Sequence, residues 1–139
     1  MNVELLNDQI ISRFNIFLFT QIKWPKHGRY QMKFRGFVLT VSVLWVEGMA
    51  LFPFILSRRK SPGETFLNHE CIHLRQQLEM GVMLFYLWYL AEYLVRVIEF
   101  KNHTEAYYNI SFEREAYSNE NNMDYLTDRK FWSFLKYIG

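Results

Sequence analysis

The chain has 139 residues, a single cysteine and a formal net charge of +2. That length suits one domain, residues 1–139, around one core. Acidic and basic residues are interspersed, which leaves no broad basic field for nucleic acid. The lone Cys71 rules out an intrachain disulfide and a cysteine-rich zinc finger, so a zinc site here needs His and carboxylate ligands. Half the residues are hydrophobic and 19% are aromatic, so core material is plentiful. The aromatic clustering points to tight packing, a buried groove or a membrane-facing surface.

The first residues lack the basic start, apolar run and small-residue cleavage site of a signal peptide, so a cytoplasmic location is the expectation. Association with a membrane surface is the alternative. Residues 36–56 approach the length of a span, but Glu47, Gly48 and Pro53 interrupt them. Residues 82–98 are apolar except for Glu92 and Arg96, which are costly in hydrocarbon unless paired.

In chain order, Leu5, Leu6, Ile10, Phe14 and Phe17 offer a helical face within residues 1–24. Residues 26–29, with His27, follow Pro25 and read as a loop. Residues 37–45 (FVLTVSVLW) are β-branched and aromatic and predict a strand with Phe37, Leu39, Val41, Val43 and Trp45 on one face. Val46, Glu47 and Gly48 turn the chain. Residues 49–56 return as the second strand of a hairpin, with Pro53 marking an edge. Residues 57–63 form a polar loop, and the basic run Arg58, Arg59 and Lys60 reads as a solvated turn. Ser61, Pro62 and Glu64 resemble a capping box that opens a helix running to Glu79 or beyond. Gly81 breaks or bends that helix, and a second one covers residues 82–100. Residues 102–110 are a connection. Ser111 caps a helix over 112–120, and residues 124–138 form the last helix.

The informative segment is His69-Glu70-Cys71-Ile72-His73, an HExxH pattern. On a helix, positions i and i+4 share a face one turn apart, so both imidazoles can point at one ion. Glu70 is placed beside the metal, where it can accept a proton from water. Cys71 faces away from the imidazoles and reads as a buried apolar residue. A hydrolytic zinc site takes a third protein ligand and keeps an open position. Glu92, Glu113 and Glu115 compete for that place. Glu113 and Glu115 lie two residues apart on one helix, so only one of them can face the metal. Glu92 has an additional structural use, pairing with Arg96 at i+4 or orienting a histidine. His27 and His103 fall in predicted loops and are weaker ligands. Tyr107, Tyr108, Tyr117 and His103 are the candidates for stabilising an oxyanion.

These residues resemble the gluzincin metallopeptidases, which combine HExxH with a glutamate third ligand. The likeness is closest to small bacterial HExxH proteins that carry a motif like NHECIHLRQQ (68–77) with a later FEREAY (112–117), and it covers residues 53–138. The spacing from His73 to Glu92 is similar to that of the HExxHx18E aminopeptidases. Glu113 and Ala116 match the Glu-x-x-Ala turn of many third-ligand helices, which favours Glu113. The resemblance implies an α+β fold, a minimal zincin-like domain that is mainly helical. A small antiparallel sheet or hairpin would pack on the HExxH helix. It further implies zinc held by His69, His73 and Glu113, Glu70 as general base, and a peptide or protein substrate paired to the edge strand at residues 49–56. An inactive zinc-binding scaffold is the competing reading. Tyr117 stands where many gluzincins carry an Asp four residues after the third ligand.

Overall fold

The computed structural model describes residues 37–139. The predicted helical face in residues 1–24 and the loop with His27 lie outside the described residues. The fold is mixed α+β and mostly helical, with one small sheet. Its strands are β1 (Phe37–Thr40), β2 (Gly48–Leu51) and β3 (Phe54–Ser57), in the order β1-β3-β2. The central β3 runs parallel to β1 and antiparallel to β2, so the sheet is mixed rather than antiparallel.

The expected hairpin is displaced by one strand. Residues 49–56 do not form a single return strand. They divide into β2 and β3 around Phe52 and Pro53, with Ala50 opposite Ile55 and Leu51 opposite Phe54. Proline has no N–H for a ladder, and the chain turns there. The first strand ends at Thr40, and its buried face is the opposite of the expected one. Val38 and Thr40 point inward, while Val43 and Trp45 stand in solvent. A segment apolar at nearly every position does not specify its own register, so packing on the neighbouring helix decides it.

That helix is α1 (Glu64–Met80), and it starts after Gly63 with no side-chain cap, so the capping box expected at Ser61 is not formed. Asn68 through Leu74 are all buried. A helix buried around its whole circumference is the centre of a domain, and here the HExxH segment is that centre. Cys71 and Leu74 pack with Val38, Ala50 and Ile55 against the sheet. Burial among them pushes the Cys71 thiol up to about 12, as suits an inert apolar filler. Gly48 permits the close approach, because a Cβ there would lie 2.1 Å from the Phe66 ring.

At Gly81 the chain bends by 111° into α2 (Val82–Phe100). Gly81 takes φ +81°, where a side chain would be strained. Next comes α3 (His103–Tyr108), where sequence reading expected only a connection. Asn102 caps it, its side-chain oxygen accepting from the Thr104 and Glu105 amides at 2.9 and 3.2 Å. The following helix, α4 (Ser111–Asn119), begins at Ser111 instead of being capped by it. Its cap comes from α2. Glu92 accepts from the Ser111 amide at 2.8 Å and from its hydroxyl at 2.6 Å, which sets a carboxylate at the positive end of the helix dipole. Met80, Phe85, Ile110, Phe112 and Phe134 close a second core beneath α2 and α4.

Residues 124–138 are not one helix. They divide into α5 (Tyr125–Asp128) and a 3₁₀ turn, Ser133–Tyr137. The break serves Arg129, whose buried guanidinium donates to Glu115 at 2.5 and 3.1 Å and to Glu79 at 2.5 Å. The Trp132 amide donates to the other Glu79 oxygen at 3.1 Å, and Trp132 takes φ +58° to do so. Two interior carboxylates need this cation and this N–H, and that need overrides helical continuation. Removing the cation from the pair is expected to cost about 3–5 kcal/mol. Urea unfolding of Arg129→Ala should therefore show a loss of that order, whereas a loss below about 1 kcal/mol would mean the network contributes little.

Candidate metal centre

The HExxH spacing places His69 and His73 one turn apart on α1, with ring centroids 4.8 Å apart. Glu113 reaches them from the first turn of α4. The three side chains are 3–7% exposed, and a ligand atom from each lies within 4.8 Å of the others. His69 Nε2 and His73 Nε2 are 3.1 Å apart. Glu113 Oε2 lies 3.4 Å from His69 Nε2, and Glu113 Oε1 lies 3.3 Å from His73 Nε2. A tetrahedral ion with bonds of about 2.0–2.1 Å separates its ligand atoms by roughly 3.3–3.4 Å. The spacings therefore suit a single ion of that size, and the group could hold a metal.

The outer nitrogens decide which atoms face inward. His69 Nδ1 lies 2.9 Å from Glu120 Oε2. An ionised carboxylate only accepts, so His69 Nδ1 carries the proton. His73 Nδ1 lies 2.8 Å from Gln76 Oε1. The Gln76 amide has one orientation, because its nitrogen donates to the Phe112 carbonyl at 3.2 Å and to Glu115 at 3.0 Å. Its oxygen must then accept from His73 Nδ1. Both rings present Nε2 to the centre, each held by an outer partner in the manner of metal-binding histidines.

Glu113 is oriented from two sides. Tyr89 on α2 donates to Oε1 at 2.8 Å, and Tyr107 on α3 donates to Oε2 at 2.9 Å. Burial opposes its charge, but the charge of His73 and the hydrogen bonds of both histidines outweigh it and hold the carboxyl well below the usual range. Burial alone would likewise lower His73. The neighbouring Glu113, with smaller contributions from Glu70 and Gln76, reverses this and raises it to about 9. Without a metal, a proton on His73 supplies the positive charge that this arrangement demands.

Glu70 is 5% exposed and accepts a hydrogen bond from the Ala50 backbone. Burial raises its pKa, against the lowering influence of His73 and His69. The other two glutamates weighed as third ligand are engaged elsewhere, Glu92 at the head of α4 and Glu115 on Arg129, Gln76 and Tyr125. Of the four oxyanion candidates, Tyr107 is committed to Glu113, and Tyr108 packs on Tyr107 and Tyr117. His103 lies on α3 rather than in a loop, 2.7 Å from the Tyr93 hydroxyl and away from the centre. Tyr117 sets its ring edge against His69, centroids 4.6 Å apart, and remains 38% exposed. Burial pushes its hydroxyl up to about 12, so it is a donor at neutral pH.

Sequence reading missed Gln76, Tyr89 and Glu120. Two of them carried a signal. Gln76 lies three residues beyond His73, and Glu120 lies seven beyond Glu113, on the same helical face two turns on. Glu120 is positioned by Asn68, whose amide nitrogen donates to the carbonyls of Asn119, Glu120 and Asn122. Tyr89 had none, because its role depends on the 111° bend at Gly81.

No family model, curated protein or solved structure matches this chain.

Metal binding needs a neutral His73, which is protonated in the metal-free protein up to about pH 9. Zinc affinity should therefore rise about tenfold per pH unit between about pH 6.5 and 9, with proton release on binding. Competition with a chromophoric chelator across that range measures it, and a flat profile would contradict the assignment of this histidine.

Proposed function

We propose that this chain is a zinc-dependent hydrolase of gluzincin type, and that it cleaves peptide bonds. The carrying observation is the position of Glu70. Its carboxylate is buried beside His69, His73 and Glu113, tied to the Ala50 backbone, and raised in pKa by burial. The mixed sheet over a central HExxH helix, with the third carboxylate brought by a later helix, supports a minimal zincin-like fold. Two imidazoles and a carboxylate suit zinc best among common divalent ions. A zinc ion held by His69, His73 and Glu113 would acidify water and polarise a carbonyl.

The chain's own residues do the rest. Glu70 takes the proton of the attacking water, and the burial that raises its pKa makes it a stronger base for that task. It then returns the proton to the leaving nitrogen. Tyr89 and Tyr107 fix Glu113, while Glu120 and Gln76 fix the histidines, so the ligands need no rearrangement on binding. Tyr117 donates its hydroxyl to the developing oxyanion from the rim. It replaces the Asp that gluzincins carry at that position, and Glu120 takes over the hold on His69.

A second reading, a zinc-binding module without turnover, is favoured by the outer edge of β2. The Ala50 carbonyl accepts from Gln77 at 2.9 Å and from Tyr86 at 2.6 Å, and the Phe52 amide donates to Gln77 at 2.9 Å. The backbone groups that an extended peptide would pair with are thus held by α1 and α2, contrary to the strand addition expected at residues 49–56.

Glu70→Gln separates the two readings. On the hydrolase reading it retains zinc and loses about 10²–10⁴-fold in activity on a fluorogenic peptide panel. If zinc-loaded wild type and Glu70→Gln are equally silent across that panel, the module reading stands.

A further inference from the structure

Ala50 meets the proposed general base with its own backbone. The Arg58 amide donates to the Glu47 carbonyl at 2.9 Å. Antiparallel pairs alternate between bonded and non-bonded, so Ala50 and Ile55 form a non-bonded pair. The N–H and C=O of Ala50 therefore point away from β3, out of the edge of the sheet. The N–H donates to Glu70. The carbonyl accepts from Gln77 at 2.9 Å and from Tyr86 at 2.6 Å.

The two holds on that carbonyl differ in kind. Gln77 lies on α1, two turns beyond Glu70 and on the same face, and is 1% exposed. Its side-chain oxygen also accepts from the Phe52 amide at 2.9 Å. One primary amide thus grips a C=O and the N–H two residues on, as the peptide group of a neighbouring strand does. That hold is a fixed part of the interior. Tyr86 comes from α2, is only partly buried, and makes a single hydrogen bond to the strand. A carbonyl oxygen has two lone pairs. Gln77 uses one, and the Tyr86 hydroxyl uses the one that remains for an incoming N–H. A turn of the Tyr86 side chain releases it without breaking a strand or a helix. The phenol also stands near Glu70, whose charge adds to burial in opposing its ionisation. One side chain is therefore both on the strand edge and next to the base.

We infer that Tyr86 gates the centre: its hydroxyl holds the place of a substrate backbone N–H on the Ala50 carbonyl, and an extended peptide binds by displacing it. This rests on the hydrolase reading and deepens it. The substrate class is then a peptide in extended form, with one N–H on Ala50 while Gln77 keeps its own bond. A ligand too small to reach β2 from the metal is indifferent to the gate.

The test uses the zinc-loaded full chain, as wild type and Tyr86→Phe, which keeps the ring and removes only the hydroxyl. Calorimetry measures the binding of acetohydroxamic acid, which reaches the metal alone, and of a pentapeptide hydroxamate. Tyr86→Phe should bind the pentapeptide hydroxamate roughly fivefold tighter than wild type, the worth of one hydrogen bond that no longer has to be displaced. Both proteins should bind acetohydroxamic acid equally, which also shows that the variant is folded and loaded. The same peptide methylated at one backbone nitrogen at a time locates the contact. At one position the gain of Tyr86→Phe should disappear. Equal or weaker binding of the pentapeptide hydroxamate by Tyr86→Phe overturns the gate, as does a gain that survives methylation at every position. If acetohydroxamic acid binds neither protein, the open metal site and the hydrolase reading fall, and the gate falls with them.

Discussion

The interaction on which the rest depends is the meeting of three electron-rich atoms at one point. His69 Nε2, His73 Nε2 and the Glu113 carboxylate converge at 3.1–3.4 Å. Their outer sides are already occupied by Glu120, Gln76, Tyr89 and Tyr107. Such a group repels itself unless a cation stands among its members. A proton on His73 serves when nothing else is present, and a divalent ion serves better because it satisfies all three at once. Burial strengthens both the repulsion and the remedy.

The architecture can be read as the means of holding that point. The central helix is buried all round from Asn68 to Leu74, so its interior polar side chains need partners, and most of these come from other elements. Gln76 ties His73 to α4 through Phe112 and Glu115. Asn68 ties the end of α4 to α1 and so positions Glu120. Glu115 and Glu79 draw in Arg129, which breaks the C-terminal helix and wraps that segment over the core. Two chains of hydrogen bonds thus run from the histidines to the C-terminal third. The bend at Gly81 completes the arrangement by turning α2 back, so that Tyr89 reaches Glu113 and Tyr86 reaches Ala50.

The candidate centre was largely legible because its chemistry is local. His73 follows His69 at i+4 on one helix, and that spacing alone gives the geometry. Glu113 could be favoured only by its Glu-x-x-Ala turn. The observed engagements of Glu92 and Glu115 depend on long-range contacts that no local pattern contains. The sheet was legible as β-rich sequence but not as topology. Residues 37–45 are apolar at nearly every position, so neither face nor end was specified, and the division of 49–56 into two strands rests on one turn at Pro53. Helix α3 was missed although Asn102 and Glu105 form a recognisable start. The last helix was expected whole because its apolar spacing is regular. It breaks for a buried arginine, whose partners lie 14 and 50 residues away.

The most direct test of the account is the metal content of the purified full chain, measured by mass spectrometry on wild type, His69→Ala and Glu113→Ala. The account predicts about one zinc per wild-type chain, lost in His69→Ala and weakened in Glu113→Ala. A folded wild type that carries no metal and takes up no added zinc would contradict it, and the convergence of the three ligands would then be a protonated hydrogen-bond cluster and nothing more.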